Sequence, residues 1–175
     1  MAGGEDFNEV VFDNVLVPKD RTVGEPGNGW QQVTSELAYE RSGPERFLSS
    51  FRVFVELVRI CGDNPSPHQA AAIGRIASHF MTLRRMSLSV AGMLEAGKDV
   101  SVEAALVKEL GNNFEKLLPE IARLVVPDLS AVDPDKQRLF RETFEETLML
   151  SPSFTLRGGT REIMRGVIAR GLGLR

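Results

Sequence analysis

Two acidic side chains, Glu36 and Glu40, stand four residues apart in the stretch SELAYERSG, which places both on one face of a helix among apolar neighbours. Two carboxylates so placed repel. If that face is buried, at least one carboxyl takes a raised pKa, the property a proton-abstracting base needs. The same spacing also describes an exposed glutamate pair with Arg41 as a solvated neighbour, since most charged helix residues lie on the surface. A second feature is Arg157-Gly158-Gly159-Thr160-Arg161-Glu162, a glycine-rich turn opening a helix. Backbone N–H groups there can hold an anion or a ring oxygen, and Thr160 can cap the helix. As a bare pattern it also describes a plain connection. His68 at a helix start and His79 beside Phe80 receive no catalytic role, Cys61 reads as a small buried hydrophobe, and the methionines read as core fillers.

Phosphate loops, nucleophile elbows, dinucleotide fingerprints and metal-ligand clusters are all missing from the sequence. One cysteine and two histidines exclude a disulfide framework and the usual multi-ligand zinc sites, so no metal is expected. With 175 residues, 42% of them hydrophobic, and a net charge of −3, the chain reads as one globular domain with no nucleic-acid partner. No apolar run approaches the roughly 20 residues needed to span a bilayer, and MAGGEDFNEV lacks a signal peptide's basic start, which points to the cytoplasm.

The elements that must position these residues are helical. Phe7 to Glu25 contains EVVFDNVLVP, which predicts two short strands or a hairpin, too little sheet to stand alone. Trp30 to Arg41 begins a helix that Gly43-Pro44 kinks or breaks, with Phe47, Phe51, Phe54 and Val58 on one face and Trp30 anchoring it to the strands. Ser66-Pro67 opens a helix with Ile73, Ile76, Phe80, Leu83, Met86, Val90 and Met93 as its stripe. Another runs from Ser101 to about Val126 with Leu106, Leu110, Phe114, Leu117 and Leu118 inward, and Gly111 and Pro119 as weak points. A further helix follows Asp133-Pro134, burying Leu139, Phe140, Phe144 and Leu148, and a last one spans about Thr160 to Leu172. The sum is an all-α, up-and-down four-helix bundle plus a C-terminal helix, preceded by a short β hairpin. Ten phenylalanines are more than a short bundle can hide, which predicts a dimer or tetramer.

Several of these stretches fall into the order of one family. FNEVVFDNVLVPKDRTVGEPGNGW resembles the last strands of the middle β-domain of acyl-CoA dehydrogenases and the turn before their C-terminal bundle. GGTREIMRGVIARGLGLR resembles the family's C-terminal helix, and AYERSGPERF and VSVEAALVKEL resemble its first and third bundle helices. The resemblance divides the chain into residues 1–29, a remnant of the middle domain with its linker, and 30–175, the helical bundle. It implies a C-terminal portion of an FAD enzyme that removes two hydrogens across the α and β carbons of an acyl-CoA thioester. In the commonest branch the base is a Glu directly before the Gly-Thr pair, where this chain has Gly158; in another it is a Glu preceding an Arg on the first bundle helix, which Glu40-Arg41 matches. Glu40 is thereby the candidate base and Arg41 a substrate contact, while Gly159, Thr160 and Glu162 stand where the family meets flavin.

Two motifs depart from the family. The Arg-x-x-Phe-Gly segment before His-Gln is replaced by VRICGDNPSPHQ, with Arg59 displaced by one position and no Phe, and the late Gln-x-x-Gly-Gly-x-Gly segment is missing. Such losses are typical of a bacterial subgroup assembled from two different subunits, so the expected partners are a homo- or hetero-oligomer, the acyl-CoA substrate and an electron-transferring flavoprotein. The alternatives are a non-catalytic assembly module of such a heteromer and an acyl-CoA oxidase.

Overall fold

A computed structural model describes residues 8–174 of the chain, which form six α-helices and four short 3-10 turns, with no strand among the described residues. The helices are α1 (Gly29–Ser42), α2 (Phe51–Cys61), α3 (Pro67–Glu95), α4 (Ser101–Val125), α5 (Pro134–Leu150) and α6 (Arg161–Gly171). Local chemistry sets their starts. Ser66 accepts from the Gln69 N–H while the Gln69 side chain accepts from the Ser66 N–H, a reciprocal cap that opens α3 with Pro67 in its first turn. Asp133 accepts from the N–H groups of Asp135 and Lys136 at the start of α5, and Thr160 caps α6.

Helix α4 is the hub. It packs against α1, α3, α6 and the 3-10 segment Ser151–Leu156, while α2 pairs mainly with α5. The Gln69 side chain donates to the Val125 carbonyl at 3.0 Å, tying the start of α3 to the end of α4 and fixing their antiparallel register. The core fills the space between: Val53, Leu57 and Ile60 from α2, Ile76, Phe80, Leu83 and Val90 from α3, and Val107, Phe114, Leu118 and Ala122 from α4. Phe80 stands edge-on to both Phe51 and Phe114, giving an aromatic cluster at the meeting of α2, α3 and α4.

Several expectations are corrected. Residues 8–18 pair with nothing as strands, and Val10, Val11, Phe12, Val15, Leu16 and Val17 are exposed, because the chain offers no sheet edge for them to join. Phe7 lies outside the described residues. Trp30 is 82% exposed and anchors nothing. The break at Gly43-Pro44 is complete: a 3-10 turn at Pro44–Arg46 separates α1 from α2, making six helices where one kinked helix and four others were expected. On α2 the buried residues are Val53, Glu56, Leu57 and Ile60, and Phe51 and Val58 lie toward solvent. Leu110 and Leu117 of α4 and Leu148 of α5 are also exposed, and the methionines divide, with Met164 buried and Met81 and Met149 exposed. Five of the described phenylalanines are buried and only Phe12 and Phe51 are exposed, so the bundle hides more aromatic surface than the count suggests.

Ile76, fully buried at the centre of the core, sets a prediction. Ile76→Ala removes its methylenes and leaves a cavity that α3 and α4 cannot close, costing about 2–5 kcal/mol in urea unfolding; a loss below about half the lower figure shows that the two helices do not share this core.

Candidate functional site

Sequence periodicity places leucines on the inner face of α4, yet the face that meets the rest of the chain also carries a row of polar residues. Lys108, Asn112 and Glu115, at spacings of four and three, are all fully buried. A buried cation, amide and carboxylate each need partners, and all three find them in one segment, the turn that leads into α6. Lys108 donates through Nζ to the Gly159 carbonyl. Asn112, with its amide oxygen turned toward the ammonium, accepts from Lys108 Nζ at 2.9 Å and donates to the Phe154 carbonyl at 3.2 Å. Glu115 accepts from the Ser49 N–H at 2.6 Å and pairs with Arg157 at 2.9 Å, whose guanidinium also lies 4.6 Å above the Phe154 ring. Burial pushes the Glu115 carboxyl up, against the pull of the Ser49 N–H and Arg157. One turn earlier, Glu109 takes Arg161 at 2.9 Å and Arg165 at 3.0 Å. Burial would raise its carboxyl, but the two guanidiniums outweigh that and hold it below its ordinary value.

The turn so held carries two consecutive glycines in the left-handed region, Gly158 at φ 64° and Gly159 at φ 95°. Facing it is the end of α1. Arg46, itself buried, donates through Nη2 to Glu40 Oε1 at 2.9 Å and through Nε to the Glu40 carbonyl at 2.7 Å. A Cβ at Gly158 would lie 2.6 Å from Glu40 Oε1 and 3.4 Å from Arg46 Nη2. The carboxylate of Glu40 therefore stands in the space that a side chain at position 158 would enter. Gly111 on α4 makes this approach possible from the other side, because a Cβ there would collide with the Arg46 carbonyl.

The structure thus brings Glu40, Gly158, Gly159 and Thr160 together. Glu40 is half-exposed, with 42% of its side chain open to solvent, and Glu36 lies on the surface of α1. Arg41 is partly buried, which lowers its guanidinium below the ordinary value against the attraction of Glu40; its Nε has no hydrogen-bond partner among the described residues. Thr160 accepts from the Ile163 N–H, and Glu162 is an exposed carboxylate held below its ordinary value by its own backbone N–H and the Thr160 hydroxyl. Both histidines are exposed, His79 stacking on Phe114, and Cys61 is partly buried, which raises its thiol. An apolar groove of about 420 Å³ between the α1–α2 connection and α3, lined by Phe47, Leu48, Phe51, Phe80, Met81 and Leu88 among others, includes none of these residues.

Arg46, Lys108, Asn112 and Glu115 were not visible as functional positions in the sequence. For the last three the one signal is the row of polar side chains at helical spacing on α4, which reads as a solvated face until another element is shown to cover it; Arg46 has none.

For a cofactor, the start of α6 offers a glycine without Cβ, where a Cβ would lie 3.2 Å from the Met164 methyl, together with the capping hydroxyl of Thr160 and an exposed acceptor in Glu162. These residues fit a group that presents hydroxyls or ring heteroatoms to backbone and side-chain polar atoms.

No family model matches the chain. It is 29% identical over 178 residues to acyl-CoA dehydrogenase IpdE1 of Mycobacterium tuberculosis, covering 99% of this chain and 46% of that protein. IpdE1 of Mycolicibacterium smegmatis is 27% identical over 99% of this chain and 44% of its own length. FadE29 of M. tuberculosis, also an acyl-CoA dehydrogenase, is 28% identical over 95% of this chain and 45% of its own length. The chain therefore spans less than half the length of these curated relatives. The resemblance stated from the motifs extends across nearly the whole chain, as expected of a C-terminal portion.

The buried ammonium makes a prediction of sign. Burial, then the charges of Arg46 and Arg41, push Lys108 down from 10.5 to about 8, against Glu109 and Glu40. Between those two values the unfolded chain binds more protons than the folded one, so this group makes the fold gain stability as pH rises from about 8 toward 10.5. Urea unfolding across that range should show wild type gaining on Lys108→Met; two parallel curves would contradict the burial of a charged lysine.

Proposed function

We propose, from a likeness to acyl-CoA dehydrogenases that runs almost the whole length of the chain, that it is the C-terminal portion of such an enzyme, with Glu40 as the base that takes the α-proton of an acyl-CoA thioester. The observation that carries this reading is the contact of Glu40 with Gly158. The resemblance puts the common family base at position 158, and here a glycine at 158 leaves room that the Glu40 carboxylate fills from a different helix. The Glu40 carboxylate stands where a side chain at position 158 would begin, and this supports the reading.

The surrounding residues suit the role. Arg46 grips Oε1 and the Glu40 main chain from a buried position, so the carboxylate is fixed in direction at little entropic cost, while Oε2 accepts no hydrogen bond among the described residues and is open to a proton. FAD, when bound, supplies the acceptor for the hydride leaving the β-carbon. Gly159, Thr160 and Glu162 would hold it at the start of α6, and Arg41, beside Glu40 on α1, would meet the substrate. In this reading residues 30–175 are the bundle domain and 1–29 the end of the domain before it. The acyl-CoA, a second copy or sister subunit, and an electron-transferring flavoprotein are the partners it calls for, and no described helix is long and apolar enough to cross a membrane.

The test is turnover with acyl-CoA in the full-length protein carrying this chain, assembled with any partner subunit. Glu40→Gln should lower kcat by roughly 10²–10⁴-fold, the usual weight of a general base, with the protein still folded. Adding Gly158→Glu to Glu40→Ala should recover part of that loss, because it returns a carboxylate to the same space. Unchanged turnover in Glu40→Gln favours the assembly module instead.

A further inference from the structure

We propose that Lys108 is a positioning residue for the reaction assigned to Glu40: from the buried face of α4 it fixes the Gly158-Gly159 turn at the distance that leaves the Glu40 carboxylate its place. The proposal rests on the reading of Glu40 as base.

Two consecutive left-handed glycines cannot hold a conformation by themselves, since glycine has the widest choice of backbone states. The turn is held instead from α4, at four points. Asn112 binds the Phe154 carbonyl before it, Glu115 binds Arg157, Glu109 binds Arg161 after it, and Lys108 binds Gly159 itself. Lys108 is thus, among the described residues, the one side chain that hydrogen-bonds to the glycine pair. Its partners are unusual for a buried cation. Nζ meets a peptide carbonyl and an amide oxygen, not a carboxylate, so the charge is buried without an ion pair of its own. What the ammonium adds is direction: it draws two oxygens to one point and so sets where the Gly159 carbonyl, and with it Gly158, can be. Gly158 lies against Glu40 Oε1 and Arg46 Nη2 closely enough that a small movement of the turn changes what touches the base.

Charge makes the tether sensitive to pH. The groups facing Nζ are Glu40 and Arg41 from α1, Arg46 from the turn before α2, and Glu109 from α4 itself. When Lys108 loses its proton, the amine still donates but the pull on both oxygens weakens.

The experiment compares the 175-residue chain as wild type, Lys108→Met, and Ala122→Gly, which weakens the far end of the same helix without touching the turn. Amide signals of Gly158, Gly159 and Thr160 and the side-chain carboxyl signal of Glu40 are followed by NMR from pH 6.5 to 9.5. In wild type they should move together with a midpoint near 8. In Lys108→Met that step should vanish and deuterium exchange of the three amides should quicken by about tenfold or more, while Ala122→Gly keeps both wild-type behaviours. A flat wild-type titration, or the same exchange in both variants, overturns the proposal, and the wild-type titration decides alone if Lys108→Met does not fold. In the full-length enzyme Lys108→Met should lower kcat roughly tenfold to a hundredfold with KM little changed, as a misplaced site does, and Lys108→Arg should restore part of it. If Glu40→Gln keeps its turnover, the base assignment fails; the NMR result then still tells whether the tether exists.

Discussion

Polar groups taken into a helical core have to be satisfied by something other than water, and on α4 that requirement organises the chain. Apart from the contact of Lys108 with Asn112, Lys108, Asn112 and Glu115 have no partners on their own helix among the described residues. Their acceptors and donors lie at Gly159, Phe154, Arg157 and Ser49, in two connections that would otherwise be loose loops. Satisfying one helix face therefore fixes the entry to α6 and the approach to α2 at once. An α4 with a purely apolar inner face could still form a bundle, but nothing in it would specify where those two connections sit.

The apolar and polar halves of the fold divide the labour. Val53, Leu57, Ile76, Phe80, Leu118 and their neighbours supply non-directional attraction between α2, α3 and α4. At the other side of α4 the contacts are directional: bidentate guanidinium pairs, peptide carbonyls and a helix glycine, Gly111, whose missing Cβ admits the Arg46 carbonyl. Glu40 sits at the boundary, its main chain and Oε1 held by a buried arginine and its other oxygen open. That combination, a fixed carboxylate with one free lone-pair face, follows from packing on α4 and not from α1 itself.

Much of the helical layout is legible in the sequence because it depends on local chemistry. Ser66-Pro67, Asp133-Pro134 and Thr160 each mark a helix start by a cap that needs only neighbouring residues. The faces are less legible. Leu110 and Leu117 look like core residues by spacing and turn out exposed, since the inner face of α4 is chosen by what α6 and the segment before it offer to Lys108 and Glu115. Glu40 could be singled out from its type and place on a helix; its partner Arg46 could not, because the pairing depends on the chain turning back at Gly43-Pro44. The strands expected near the start were read from a run of Val and Phe broken at Asp13-Asn14, and such residues make a sheet only where a second edge exists.

That unpaired stretch changes how self-association of the chain is to be understood. Val10, Val11, Phe12, Val15, Leu16 and Val17 are bare on a backbone whose hydrogen-bonding groups are unclaimed by any ladder among the described residues. Such an edge adds copies one after another without closing, whereas helix faces related by a two-fold axis close after two or four. Association through residues 8–18 would grow without limit as concentration rises, and association through helix faces would stop at a fixed number, so a mass that keeps climbing would speak of that bare segment and a mass that levels off of the bundle.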